Sequence, residues 1–134
     1  MLKKSPSGSL CPYYYMDAEL HPLKYGSYFD DKGKLFEVIK AEEEFILKSP
    51  GAHNRRIWAD LYETALDDEV VGFLAAHLEA IRPKIAKLCL VGCSARDERR
   101  IKAKMKRENP DLYNETRYFS DPEEAKQWLA GKLN

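Results

Sequence analysis

The sequence predicts an α/β fold: a mixed, mostly parallel β-sheet with four helices in the order ββαβαβαβα. Two patterns and one rule of connection lead there. Short apolar runs of strand length alternate with longer stretches whose apolar residues recur at helical spacing. Gly, Pro and paired acids fall between the two kinds of segment, where turns and helix caps belong. Strands joined through helices run parallel, with right-handed crossovers.

Residues 1–12 are polar and Ser/Pro-rich, and read as a flexible tail that leaves 13–134 as the single domain. From Tyr13 the runs YYYM and LKYGSYF, on either side of a turn region with Pro22, predict a strand pair. Asp30 and Asp31 then supply an N-cap for a helix in which Leu35, Val38, Ile39, Glu42 and Ile46 fall near one stripe. Ser49-Pro50-Gly51 breaks it. RRIWADLY is a compact apolar run, as a buried strand would be. After Asp67 and Asp68 comes the second helix, with Val70, Leu74, His77 or Leu78, Ile81 and Ile85 on one face and Pro83 near its end. KLCLVG is the next strand and SARDERRIKAKMKREN the third helix. RYF is a short closing strand, and SDPEEAKQWLAGKL a last helix with Pro122 in its first turn.

The 134 residues suit one core. Lys plus Arg balance Asp plus Glu at 22 each, so no global field draws nucleic acid or anionic membrane to the surface. The first residues lack the unbroken apolar stretch of a secretory peptide, and nothing later approaches the roughly 20 apolar residues that cross a bilayer. Cys89 and Cys93 lie on one extended segment, about 13 Å apart at 3.3 Å per residue, too far to bridge each other. With Cys11 they make an odd, unpaired set, which reads as cytoplasmic and reduced.

The sharpest chemical motif is Cys93-x5-Arg99, the spacing of cysteine phosphatases. Such a loop needs a thiolate and successive backbone N–H groups aimed at phosphate, and it favours Gly and avoids acids. Here Ser94, Ala95, Arg96, Asp97 and Glu98 intervene. Ser94-x-x-Asp97 is itself a capping-box pattern, which claims the same amides, so the expected reading is a strand end followed by a capped helix. His21, His53 and His77 show no metal spacing; His77 reads as a satisfied core histidine, and neither metal nor cofactor is expected. Asp60 ends an apolar strand at the carboxyl edge of the sheet, where such folds place ligands, although an Asp there more often bonds neighbouring loop amides. The run Arg96, Arg99, Arg100, Lys102, Lys104, Lys106, Arg107 reads first as a solvated helix face.

Taken in order, YGSYFDDKGKLFEVI, RRIWADLYETALDDEVVGFL, KLCLVGCSARDERRI and RYFSDPEEAKQWL resemble the strand-to-helix segments of a STAS domain, the fold of bacterial anti-sigma-factor antagonists. The likeness is closest to STAS-like proteins of unassigned function. It implies a non-enzymatic, protein-binding regulatory module that admits homo-oligomers. Regulatory members carry a phosphorylatable Ser or Thr in the turn before the second helix. The equivalent segment here is Leu66, Asp67, Asp68, Glu69, with only Thr64 nearby, so the switch residue is missing. Asp67 and Asp68 are explained as caps, and a permanent mimic of the phosphorylated state is the second reading. The resemblance places the partner surface at Glu63, Thr64, Asp67, Asp68 and Glu69. The alternative is a carrier of a small ligand or lipid headgroup, with an anion or ligand site at Asp60, Gly92, Cys93, Ser94 and Arg96.

Overall fold

The structure, a computed structural model, describes residues 3–132. Its strands are β1 (Lys3–Lys4), β2 (Leu10–Cys11), β3 (Tyr13–Tyr15), β4 (Ala18–Lys24), β5 (Arg55–Asp60), β6 (Ile85–Val91) and β7 (Thr116–Phe119). Its helices are α1 (Lys32–Lys48), α2 (Asp68–Ile81), α3 (Ala95–Glu108), α4 (Pro110–Glu115) and α5 (Pro122–Leu129), with a 3₁₀ turn at Arg82–Lys84. The main sheet has the order β3-β4-β5-β6-β7; β3 and β4 are antiparallel and the other pairs parallel. The architecture is therefore α/β, with a mixed and mostly parallel sheet.

Alternation along the strands splits the core between two faces. Leu23, Tyr25, Ile57, Ala59, Leu88 and Leu90 pack with α1, α2, α3 and α4. Ala18, Leu20, Cys89 and Val91 pack with Ala125 and Leu129 of α5. The interior strand β6 is covered on both sides, so its last four residues are all buried and the period-two pattern disappears. Helix α2 lies between α1 and α3, and it buries seven residues where α3, at the end of the row, buries only Ile101 and Met105.

Local chemistry explains the boundaries. Asp31 caps α1 by accepting the Lys34 N–H at 3.2 Å, and Asp67 caps α2 by accepting that of Val70 at 2.9 Å. Leu35, Ile39, Glu42 and Ile46 form the buried stripe of α1. Pro22, expected in a turn, sits inside β4 beyond the reach of β3, where its missing N–H leaves no ladder bond unmade.

Four expectations are corrected. Residues 3–12 are no loose tail: β1 and β2 pair antiparallel, and Ser5 and Ser9 between them are buried. Residues 1–2 of that segment lie outside the described residues, as do 133–134 at the other end. The second strand of the opening pair is Ala18–Lys24 and not Leu23–Phe29, because the chain turns at Met16 and Asp17, both left-handed at φ 49° and 66°. The described residues form five helices, since Asn109-Pro110 stops α3 and starts the six-residue α4. Ile85 leaves the α2 stripe and opens β6, after Pro83 has tightened the chain into the 3₁₀ turn.

Candidate functional site at the carboxyl edge of the sheet

Two loops meet where β4 and β5 end. Ser27 N–H donates to the Tyr62 carbonyl at 2.6 Å, Phe29 N–H to Glu63 at 2.8 Å, and Ala65 N–H back to Phe29 at 2.7 Å. This ladder extends the parallel sheet past the last regular strand residue, and it requires a left-handed backbone at Ser27, Phe29 and Glu63 (φ 64°, 52° and 55°). Non-glycine residues pay for that conformation, and such strain concentrates where a surface must keep one shape. It turns the Phe29 side chain outward, 60% exposed. Tyr62, 42% exposed, lies across Gly92, and donates its phenol to the Ser120 carbonyl at 2.6 Å. Gly92 is left-handed at φ 91°, and a Cβ there would stand 2.7 Å from the Tyr62 ring, so only glycine fits.

The acidic turn is organised from its neighbours. Lys32 of α1 pairs with Asp67 at 2.6 Å and Glu69 at 2.9 Å. The hydrogen bond from Lys32, then the cap bond from Val70, hold the Asp67 carboxyl below its ordinary range. Arg100 of α3 reaches the Asp68 carboxylate at 2.7 Å and also donates to the Leu66 carbonyl. Glu63 accepts from the Ser27 hydroxyl at 3.0 Å. Thr64 is half-buried; its hydroxyl donates to the Tyr25 carbonyl at 2.7 Å and accepts the Tyr28 N–H at 3.2 Å. All five predicted partner-surface residues thus stand on one edge, and Asp67 and Asp68 are held by α1 and α3 besides serving the start of α2.

The predicted anion site is divided. Gly92 and Ser94 line a cavity of about 570 Å³ together with Phe29, Glu63, Thr64 and Asp97. Asp60 lines a different cavity, beside Gly26, Ser27 and Trp58, and its Oδ1 accepts the Tyr62 N–H at 3.0 Å. Arg96 is exposed on the first turn of α3 and takes no ion pair among the described residues. Cys93 packs against the main core. Burial, then the Asp97 and Glu98 carboxylates, push its thiol up to about 12, the opposite of what a nucleophilic thiolate needs. Ser94 Oγ accepts the Asp97 N–H at 3.1 Å, while the Asp97 carboxylate turns to Arg100 at 2.9 Å. The capping box is therefore half formed, and one of the amides required by a phosphate loop is already used.

The basic run on α3 is partly neutralised in place: Arg100 by Asp68 and Asp97, Lys102 by Glu98, Lys104 by Glu108, and Arg107 more distantly by the same Glu108, while Arg96, Arg99 and Lys106 take no ion pair among the described residues. Among the described residues no three His, Cys, Asp or Glu side chains converge as a metal set. No described helix is long and apolar enough to cross a membrane.

The sequence pattern does not single out Ser27, Phe29 and Tyr62, because an aromatic run reads as strand. The available signal was Gly26, where a Cβ would come 2.8 Å from the Tyr62 carbonyl. His77 is the satisfied core histidine that its place on the α2 stripe predicts, but its partners, and a second buried cluster around Glu42, leave no signal in the local pattern. Tyr25 O–H and His77 Nε2 lie 2.8 Å apart, and His77 Nδ1 faces Glu43 at 3.0 Å. Glu42, fully buried, accepts from Ser5 Oγ at 2.7 Å, from Ser7 N–H at 2.9 Å and from the Ser7 hydroxyl, and meets His21 at 3.2 Å. Tyr25 and Glu42 have no solvent exposure, so these clusters hold the fold and offer no place for substrate. Comparison of the chain with protein-family models, curated proteins and solved structures finds no match.

Proposed function

We propose that the chain is a non-enzymatic, STAS-like regulatory module of the bacterial cytoplasm that binds a protein partner through the carboxyl edge of its sheet. The observation that carries this reading is Phe29: a large apolar side chain turned into solvent by a left-handed backbone, beside Tyr62 and the acidic turn. An exposed aromatic held rigidly within a charged rim has the character of an interface anchor. The pairings of Asp67, Asp68 and Glu69 with Lys32 and Arg100 keep that rim in one arrangement before any partner arrives.

The module lacks a phosphorylatable switch. The Thr64 hydroxyl is committed at both ends to the loop pairing, and phosphorylation there would first have to break it. The raised Cys93 thiol and the Ser94 cap argue against phosphatase chemistry at Cys93-x5-Arg99. The balanced overall charge, with four of the seven α3 cations already paired, argues against nucleic acid as the partner.

Quantitative affinity capture from the source cell tests the reading with wild type, Phe29→Ala and Glu63→Lys. A protein enriched by wild type should fall about tenfold or more with each variant, as loss of a central anchor or reversal of a rim charge costs. Equal enrichment by all three chains would remove the edge as the interface.

A further inference from the structure

A second cavity, of about 730 Å³, lies between the β1–β2 hairpin and the sheet face that carries α5. Its apolar wall includes Leu10 from the hairpin, Tyr13 from β3 and Trp58 from β5; Lys4, Lys24 and Asp60 supply charge. The volume falls within the range of small-ligand sites, and a mostly apolar lining with a few polar groups is what such sites present. The hairpin wall is fixed: Ser5 and Ser7 donate to the buried Glu42, and Lys24 Nζ reaches the Gly8 carbonyl at 3.3 Å.

We propose that this cavity binds a small amphipathic monocarboxylate, with its apolar body against Leu10, Tyr13 and Trp58 and its charged head toward Lys4 and Lys24. The charge decides the class. Both lysines are exposed, and among the described residues neither forms an ion pair, so the lining carries two cations against the one carboxylate of Asp60. Asp60 already spends Oδ1 on the Tyr62 N–H, and the negative charge it keeps disfavours a dianion. This cavity adjoins the edge at Gly26 and Ser27 but includes neither Phe29 nor the acidic turn, and the two readings are tested separately.

Titrating decanoate into the isotope-labelled full chain tests the proposal. Saturable shifts are expected at Leu10, Tyr13 and the Trp58 indole, with a dissociation constant on the order of 100 µM for a ligand of this size. Decanol and the Lys4→Ala/Lys24→Ala double variant, checked for fold by circular dichroism, should each bind about five- to tenfold more weakly. No saturable shift, decanol binding as tightly as decanoate, or decylamine binding more tightly than either would overturn it.

Discussion

Gly92 shows how one residue shapes the candidate surface. Its φ of 91° and the Tyr62 ring 2.7 Å from any added Cβ are separate costs, so Gly92→Ala should lose about 2–3 kcal/mol in urea denaturation. In a Tyr62→Ala background the ring contact goes while the left-handed backbone and the approach to the residue 62 nitrogen at 3.0 Å stay, and the loss should shrink by about 1 kcal/mol; strict additivity would show that the ring does not rest on Gly92. His77 makes a pH prediction. Burial, the leading cause, lowers its pKa against the pull of Glu43, so the folded state holds the imidazole neutral. The unfolded chain then binds more protons once the pH drops below about 6.5. His77 therefore contributes stability that is present above that value and lost as pH falls, and His77→Gln should flatten the stability curve between about pH 7 and 5. An unchanged slope would contradict this account of the buried imidazole.

Among the elements, the β1–β2 hairpin departs most from expectation, and the reason is chemical. Ser-Pro-Ser-Gly-Ser has no apolar periodicity, so its local pattern resembles a tail. What orders it is the Glu42 carboxylate on α1, 35 residues from Ser7, and a side-chain hydrogen bond across that distance leaves no local trace. Glu42→Ala removes the acceptor for Ser5, Ser7 and His21 together, and should cost about 3–5 kcal/mol, the range for uncoupling a buried ionic group. Amide exchange should then accelerate across residues 3–11 before it does in β5 or β6; uniform protection would show that the hairpin is held by other contacts. These bonds also keep the Glu42 carboxyl below its usual range in spite of its burial. Its contribution is present above the ordinary carboxylate range and fades only as pH falls through the lowered folded value.

At the scale of the molecule, the alternation of strand and helix was readable because each element announces itself locally. Ile57 and Ala59 alternate in β5, Leu35 to Ile46 follow the helical period in α1, and Asp67 and Ser94 stand at helix starts as caps. The candidate surface was half readable. Glu63 to Glu69 announced an acidic turn, but Phe29 became its neighbour only through backbone bonds between two loops more than 30 residues apart. Strand periodicity also misled at Tyr25 to Phe29, since the left-handed residues there have no consistent composition. The central claim, that this edge receives a protein partner, is most directly tested by a photo-crosslinking residue placed at Phe29, with the exposed Glu124 of α5 as the control site. Irradiation in the source cell should yield a discrete protein adduct from position 29 and none from position 124. The same adducts from both positions, or none from either, would contradict the account.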